Sequence, residues 1–436
     1  MKTRVGGSSR VINCKVGDNL YGTLHPRTCR SIKDDLEANF IYLSNGQLKL
    51  LLVSMDHSGA FQDRFIRNTT RKIGCLLGIA PEQVILCSTN CNCGPVTFDL
   101  LHDVPINEVY LQKLQAALLD GAREAAANAK NARIGWGEGT ANIGMNRRLC
   151  WDDGTHTMYG DASRSEFAGL EGPSDPSHAV LFAVDETDCP IVIVHSNCAH
   201  AACVQNSEFC SADYPGEARR RIRDAVGTEL PVLFLQGAAG DVAPWDTVKP
   251  GSEYDGAQRV KDVGRLLADE SLRLLAQAGC HRNVVLGHAY KELGVSVRLP
   301  TSTDIEQARS IKLAGEEKSG RGNYALAVNG VLRLHERFKD NPEDIARIHV
   351  VRVGDFALAT NPCKLFCQFG IDIKNRSPAS VTAVSELTDG FVGYCPTTYG
   401  LLGGGYSANP TLWCRLEATA GYQLVDASAI LLHSLW

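Results

Sequence analysis

Short apolar runs alternate with segments of helical periodicity along most of the chain. Apolar or β-branched runs bounded by turn residues predict strands at 40–43, 48–53, 83–87, 179–184, 191–194, 231–235, 349–353 and 356–360. Apolar residues spaced three and four apart predict helices at 61–77, 107–128, 213–226, 257–278, 304–318, 323–338 and 420–435, with another helix starting near Pro362. This mixture predicts an α/β (mixed α+β) fold, built on one large mixed sheet flanked by helices.

The chain shows no sign of a boundary between domains. No internal repeat, low-complexity tract or Pro/Ser-rich linker divides the sequence, so we predict a single domain over 1–436. Residues 135–177 are rich in Gly, Asp and Arg. That composition suits an inserted loop that shapes a pocket.

Charge and hydropathy exclude several classes of partner. The 436 residues carry 44 Lys and Arg against 49 Asp and Glu, a formal net charge of −5, with no dense basic stretch. We therefore expect no nucleic-acid interface and no membrane anchor. The longest apolar runs are too short to span a bilayer. Because the first residues contain no apolar signal region, we expect a cytoplasmic protein.

Sixteen cysteines are many for a chain of this length. Disulfides are not expected in a reducing compartment, and no paired CxxC spacing supports a structural zinc site. Most of these thiols are expected to pack as small apolar side chains. For five that lie near the candidate site, the sequence leaves a structural, a metal-binding and a reactive role open: Cys91, Cys93, Cys198, Cys363 and Cys395.

Polar residues cluster where predicted strands give way to loops. Such transitions occur at 87–95, 195–200 and 236–244, and at 360–364 together with 393–397. Strand ends are the usual place for a site on an α/β scaffold. The Gly-rich segment 237–240 does not match GxGxxG, and the chain has no GxSxG or P-loop motif. Nucleotide binding and a serine-esterase site are therefore disfavoured.

The residues of these segments and their order along the chain resemble the motifs of the neutral ceramidase family. The similar segments are 89–95, 198–201, 240–244, 361–364 and 393–394, with 144–148 and 211–216 also alike. The resemblance runs over most of 11–435 and includes no C-terminal immunoglobulin-like domain. It is nearest to the shorter ceramidase-like proteins, and it implies a mixed α/β fold and zinc-dependent amide hydrolysis.

Several positions depart from the family's pattern. The resemblance places the family's four zinc ligands at Asn90, His200, Lys364 and Tyr394. Asn92 replaces a further His of the first motif, and Ala243 stands where the family has a nucleophilic serine. Only His200 and Tyr394 keep a familiar ligand type. An ammonium ~4 Å from a dication costs several kcal/mol even at an effective dielectric constant of about 20. The sequence therefore predicts a degenerate zinc site.

The remaining polar set suggests acid–base chemistry without a metal or other cofactor. A Lys364–Tyr394 pair can transfer protons, with the phenolate favoured by the ammonium and His200 completing a relay near neutral pH. Asn90 and Asn92 supply oxyanion donors. The leading hypothesis is an enzyme of specialised metabolism that acts on a small carbonyl or imine compound. The reaction would be an isomerisation, condensation, cyclisation or elimination.

Further residues are candidates for binding the substrate. Asn146, Arg147 and Arg148 suit a carboxylate at the pocket rim, because an Arg side chain binds carboxylates with two parallel hydrogen bonds. Asp241 is expected to orient the Gly-rich turn or to contact substrate. Tyr406 follows three glycines, and we expect this segment to be a mobile loop that can lie over the site.

Three alternatives remain open at this stage. An amide hydrolase with a remodelled metal site would hold zinc through His200 and Tyr394. A non-catalytic binding protein would not need Lys364 or Tyr394 for its output. The third alternative is purely structural: Lys364 would form a salt bridge at the start of a helix, and Asn90 and Asn92 would hydrogen-bond to backbone groups of a turn. A homo-oligomer is also compatible with the sequence.

Overall fold

The structure is a computed structural model that describes residues 2–22, 27–99, 104–227, 229–249, 255–314 and 322–436. In chain order, its strands are β1 (Arg4–Val11), β2 (Asn19–Leu20), β3 (Arg27–Thr28), β4 (Ser31–Ile32), β5 (Glu37–Ser44), β6 (Lys49–Met55), β7 (Val84–Ser88), β8 (Lys130–Asn131), β9 (Arg133–Thr140), β10 (Met145–Asn146), β11 (Arg148–Trp151), β12 (His156–Met158), β13 (Phe167–Leu170), β14 (Ser177–Val184), β15 (Pro190–Asn197), β16 (Phe209–Cys210), β17 (Val232–Gln236), β18 (Val242–Ala243), β19 (Cys280–His281), β20 (Leu286–Ser296), β21 (Glu343–Val353), β22 (Phe356–Thr360), β23 (Cys363–Leu365), β24 (Val381–Ser385) and β25 (Gly393–Cys395).

The helices of the described residues are α1 (Asp63–Leu77), α2 (Glu108–Ala127), α3 (Asp213–Val226), α4 (Gly256–Gln277), α5 (Ser302–Ala314), α6 (Gly322–Phe338), α7 (Cys367–Asn375), α8 (Thr398–Gly403) and α9 (Ala420–Ser434). Local chemistry explains several of their ends. The side chain of Asn107 accepts from the Tyr110 N–H at the start of α2, and Asp255 accepts from two N–H groups at the start of α4. Gly78 ends α1 with φ of 63°.

The strands form three main sheets. They run in the orders β7-β6-β5-β1-β8, β17-β15-β14-β9-β19 and β20-β21-β22-β24; we call them sheets 1, 2 and 3. The mixed α/β class is confirmed. The expected single large sheet is replaced by three, because strand pairing joins residues far apart in sequence, which local periodicity does not report.

The inner faces of all three sheets meet in one apolar core, to which sheet 1 contributes Ile41, sheet 2 Leu181 and sheet 3 Leu358. The outer faces pack on helices: α2 on sheet 1, α4 on sheet 2 and α9 on sheet 3. Because each sheet is covered on both faces, its central strands β6, β15 and β22 are buried along nearly their whole length.

Most of the regular elements expected from periodicity are present within a few residues of the expected bounds. The helix expected at 304–318 ends at Ala314 as described, and 315–318 lie outside the described residues. The helix expected near Pro362 instead starts at Cys367, after the short strand β23.

The segment 135–177 contains more regular structure than a loop. Its first residues belong to β9 in sheet 2, and β11 pairs with β12 and β13 in a small separate sheet. The strand β10 pairs with β18. This pairing brings the segment against the Gly-rich turn at 237–240.

None of the described helices has both the length and the apolar composition needed to cross a bilayer.

Candidate functional site

The candidate site lies where strand ends of all three sheets converge. Asn90 follows β7 of sheet 1, and His200 follows β15 of sheet 2. Lys364 and Glu386 follow β22 and β24, which are parallel neighbours in sheet 3. These four side chains are buried. The site therefore depends on how the sheets pack, not on any one segment.

Lys364 lies on a strand and not at the start of a helix, contrary to expectation. In the parallel pair of β23 with β25, Lys364 is the register partner of Tyr394. Helix α7 begins only at Cys367, whose N–H donates to Asp241 Oδ1 over 2.7 Å. The long-range pairing with β25 overrides the helical pattern after Pro362.

A hydrogen-bonded chain connects Lys364 to a buried carboxylate through Asn90. Nζ of Lys364 donates to Asn90 Oδ1 over 3.0 Å, and Asn90 Nδ2 donates to Glu386 Oε1 over 3.1 Å. The other carboxylate oxygen of Glu386 accepts from the N–H groups of Ala239 and Leu365. With both ends bonded, the Asn90 amide has only one orientation that satisfies its neighbours.

Asn90 also adopts an unusual backbone conformation. Its φ is 59°, in the left-handed region that few residues other than glycine occupy. Asn tolerates this region better than most side chains. The strain is consistent with a residue whose side chain must reach a defined position.

Burial shifts the titration of both ends of this chain. Burial and then the charge of Arg147 lower the pKa of Lys364 to about 7, against the opposing charge of Glu386. Burial raises the pKa of Glu386 to about 8, against the charge of Lys364. Because the two groups influence each other, they titrate as one unit close to neutral pH. The amine is thus able to gain and lose a proton under physiological conditions.

A second hydrogen-bonded chain contains His200. Its Nε2 lies 3.3 Å from the side-chain amide of Asn92, and its Nδ1 lies 3.2 Å from Arg147 Nη1. Because a guanidinium only donates, Nδ1 accepts and the imidazole proton resides on Nε2. The atom of Asn92 nearest to Nε2 is the amide nitrogen Nδ2, also a donor, so this contact becomes a hydrogen bond only with the amide turned to present its unpartnered Oδ1. Burial, helped by the charges of Lys364 and Arg147, holds the pKa of His200 well below its usual range. The expected titration of His200 near neutrality is therefore wrong: the ring is neutral.

Arg147 is the central cation of this second chain. Besides His200, it donates to the Tyr159 hydroxyl over 2.9 Å and to the Gly240 carbonyl over 2.8 Å. Its guanidinium is buried, and no other side chain supplies a carboxylate bonded to it among the described contacts. A permanent positive charge thus faces the site from behind His200.

Tyr394 and Tyr406 form the aromatic side of the site. Nζ of Lys364 lies 5.6 Å from the Tyr394 ring centroid, and the edge of Tyr406 meets that ring at 5.8 Å between centroids. Tyr406 stacks on Trp413, which places its loop against the site. Burial raises the pKa of Tyr394 to about 12. The expected phenolate is wrong, because desolvation outweighs the nearby cation; the phenol stays protonated.

Two of the residues expected at the pocket rim lie elsewhere. The guanidinium of Arg148 is buried and donates to Glu171, to Ser407 and to the carbonyls of Gly400 and Gly404. It therefore anchors the loop before Tyr406 and has no group left for a substrate carboxylate. Asn146 donates to Asp241 Oδ2 over 2.8 Å.

Asp241 links the Gly-rich turn to two neighbouring segments, and its expected role in orienting that turn or contacting substrate stays a prediction. Its two carboxylate oxygens accept from the side chain of Asn146 and from the Cys367 N–H. Burial raises the pKa of Asp241 to about 6. These contacts join the turn to the start of α7 and so fix the strand that carries Lys364.

All five cysteines near the site are buried. Cys91 donates to the Ser211 carbonyl and Cys93 to the Val204 carbonyl, so both side chains point away from Asn90 and Asn92. Sγ of Cys198 lies 3.7 Å from Sγ of Cys367. The hydrogen bond with Cys367 lowers the pKa of the Cys198 thiol, but burial and nearby carboxylates outweigh it, so that this pKa is raised. Burial raises the pKa of the Cys363 thiol. Within the described residues, no group of three or more His, Cys, Asp or Glu side chains is arranged to hold a metal ion.

Sequence reasoning missed Glu386 and the role of Tyr159. Glu386 directly follows the apolar strand β24, so the rule that singled out other strand ends applies to it equally. Tyr159 carries no such signal, because its φ of 66° and its contact with Arg147 arise only in the folded chain.

Comparison with solved structures identifies the fold. The crystal structure of neutral ceramidase from Pseudomonas aeruginosa matches with a TM-score of 0.77 and 16% sequence identity, over 100% of this chain and 74% of that chain. A structure described as ceramidase complexed with C2 matches with a TM-score of 0.75 and 14% identity, over 100% and 75% of the two chains. No protein-family model and no curated protein matches the sequence. The chain has a neutral-ceramidase-like fold, as its motifs led us to expect.

Proposed function

We propose that the chain is an enzyme that performs metal-independent acid–base chemistry on a small carbonyl or imine compound. The observation that carries the proposal is the chain from Lys364 through Asn90 to the buried carboxylate of Glu386. An amine whose pKa is near 7 is suited to take a proton from carbon next to a carbonyl or imine. In this scheme Lys364 is the catalytic base, and Asn90 and Glu386 are positioning residues.

The negative charge that develops on the substrate needs a stabilising partner. Arg147 provides a fixed positive charge behind His200, and the protonated phenol of Tyr394 is available as a hydrogen-bond donor. Donors prearranged in a site without bulk water stabilise an enolate more than water does. The same arrangement serves isomerisation, condensation, cyclisation or elimination, so the substrate sets the reaction. We place this activity in specialised metabolism, because replacement of the family's ligands frees the scaffold for a new substrate.

Zinc does not fit the residues at the family's four ligand positions. Nζ of Lys364 donates to Asn90 Oδ1 there, and Arg147 occupies the Nδ1 lone pair of His200. Tyr394 keeps the family's residue type, but burial raises the pKa of its phenol to about 12, and a protonated phenol is not among the ligands that zinc prefers. The proposal therefore routes no step through a metal.

Titration of the purified, chelator-treated protein with Zn²⁺ tests directly whether the site binds zinc. We expect no stoichiometric binding that depends on the site. One equivalent of Zn²⁺ bound by the natural chain and lost in His200→Ala would favour an amide hydrolase with a remodelled metal site instead.

Proton transfer itself is tested by hydrogen–deuterium exchange at carbon. Pyruvate, phenylpyruvate and acetophenone are incubated with the protein in D₂O, and loss of the α-proton signal is followed by NMR. We expect exchange above the buffer rate for at least one compound, abolished by Lys364→Met. Lys339→Met, which alters an exposed lysine paired with Glu336, is the matched control. Exchange that survives Lys364→Met would refute the assignment of the base.

A further inference from the structure

A large cavity lies next to the candidate site, on the side of Arg147 and Asn92. Its volume is about 870 Å³, within the usual range for small-molecule sites. Tyr159 and Gln205 line it, and both touch site residues: the Tyr159 hydroxyl accepts from Arg147, and Gln205 Oε1 lies 3.5 Å from Asn92 Nδ2. We call this space the vestibule.

Aromatic side chains form one wall of the vestibule. Tyr159 and Trp245 stack with ring centroids 5.6 Å apart and an interplanar angle of 21°. Phe209 contributes a third ring to the lining. Flat aromatic surfaces favour flat ligands, because offset stacking adds to the burial of apolar area.

Tyr159 is held in place by Arg147 at two points. Its N–H donates to the Arg147 carbonyl over 2.9 Å, while its hydroxyl accepts from the Arg147 guanidinium. These contacts maintain its left-handed backbone with φ of 66°. Strain of this kind is a cost that persists only where the surroundings enforce it. A ligand that packs on Tyr159 therefore contacts a residue that is bonded directly to Arg147, the central cation of the site.

Among the described residues that line the vestibule, Lys33 and Lys249 stand against one carboxylate, that of Asp246, although the chain as a whole carries −5. Nζ of Lys33 lies 4.9 Å from the Phe209 ring centroid, and Nζ of Lys249 lies 3.4 Å from Asp246. Both ammonium groups are on exposed residues. A negatively charged ligand is complementary to this surface.

We propose that the vestibule binds the substrate, and that the substrate is a planar aromatic compound bearing a carboxylate. The ring stacks on Trp245, the carboxylate lies near Lys249, and the reactive carbonyl or imine points toward Arg147 and the site beyond it. This inference rests on the proposed function and narrows its substrate class.

Three small probes separate the two parts of the proposal. Phenylacetate carries both ring and charge, 2-phenylethanol lacks the charge, and cyclohexylacetate lacks the aromatic ring. Dissociation constants are measured by ligand-observed NMR titration of the full chain. We expect phenylacetate to bind about tenfold more tightly than either analogue, the ratio that stacking or a charge contact supplies.

Variants assign the binding to the vestibule. Trp245→Ala should weaken phenylacetate binding about tenfold, and Lys249→Gln should weaken it severalfold and reduce its salt dependence. Trp436→Phe, at the end of the chain and packed on Arg352, is the matched control and should change nothing. Equal affinities for phenylacetate and cyclohexylacetate, binding unaffected by Trp245→Ala, or no saturable binding at millimolar concentration would each overturn the inference.

The outcome is independent of whether the protein turns over a substrate. Lys364→Met removes the proposed base but no vestibule residue, and we expect it to bind phenylacetate normally. Normal binding with no exchange activity in the natural chain would count against the proposed function alone. Exchange activity with no vestibule binding would count against this inference alone.

Discussion

Lys364 and Tyr394 are register partners in a two-stranded parallel pair, and the amine lies 5.6 Å from the centre of the phenol ring. Their side chains therefore leave the backbone at the same level and on the same side. The amine also bonds to Asn90, so it contacts the amide on one side and faces the Tyr394 ring on another. This arrangement of the Tyr394 phenol as an acid and the Lys364 amine as a base is compatible with proton transfer at a single site.

The proposed base predicts how activity depends on pH. Because the neutral amine accepts the proton and its pKa is about 7, the exchange rate should rise as the pH increases through that value. Arg147 lowers this pKa through its charge. Arg147→Gln should therefore move the midpoint about one pH unit higher.

The control for this shift is Arg147→Lys, which keeps the charge but not the guanidinium geometry. Its midpoint should stay near that of the natural chain even if its rate falls. The measurement is the full pH profile of α-proton exchange in each protein. Identical midpoints in the Gln and Lys variants would show that the charge of Arg147 does not tune the base.

The Asn90 amide should matter more for activity than for stability. Asn90→Gly keeps the left-handed backbone accessible while removing both hydrogen bonds of the side chain. We expect at least a tenfold loss of exchange activity with only a modest change in melting temperature.

Asn90→Ala separates the two contributions of this residue. It lacks the same hydrogen bonds and adds backbone strain, so it should be about 1 kcal/mol less stable than the Gly variant. Activity and thermal unfolding are measured on both proteins. Full activity in Asn90→Gly would contradict a relay through the amide.

Arg148 should be essential for stability. It is fully buried together with Glu171, with 0% and 2% of the two side chains exposed. Arg148→Ala leaves the carboxylate of Glu171 buried with its main cation gone, a loss of about 3–5 kcal/mol in the free energy of unfolding. Arg64→Ala breaks an ion pair whose side chains are 71% and 56% exposed, and it should cost less than about 1 kcal/mol. Denaturant titration compares the two.

Gly240 should not tolerate a side chain. A Cβ atom there would lie 2.5 Å from the Lys364 carbonyl oxygen, which is backbone and has little room to move. Gly240→Ala should cost about 1–3 kcal/mol and displace the strand that carries the base. Gly279→Ala is the control, since its Cβ would meet only His281 Nε2 at 3.9 Å. Equal stability of the two variants would contradict the close packing of the turn.

Local patterns predicted most helices and strands because periodicity is a property of neighbouring residues. They failed after Pro362, where pairing of β23 with β25 joins residues about thirty apart. They also failed to predict the number of sheets, because the sequence of one strand does not specify which distant strand it pairs with. The loop expected at 135–177 is partly β9, whose partner strand is set by tertiary packing.

The sequence singled out several residues that the fold brings together, but not Glu386 and not the chemistry of the group. Polar residues at strand ends and the family resemblance singled out Asn90, His200, Lys364 and Tyr394. The protonation states of His200 and Tyr394 were not predictable, because desolvation depends on the whole folded environment. Arg148 illustrates the same limit: its neighbour Arg147 faces the site, while its own guanidinium bonds to Glu171 and to a loop more than 250 residues later.

The bond between Asn90 and Glu386 spans 296 positions of the chain. During synthesis on the ribosome, the Asn90 amide is made 296 residues before its carboxylate partner. Until then the amide and the strained backbone that carries it have no native partner, so the site assembles in one late step. A chain shortened before β24 would therefore be inert even if its first two sheets had already formed.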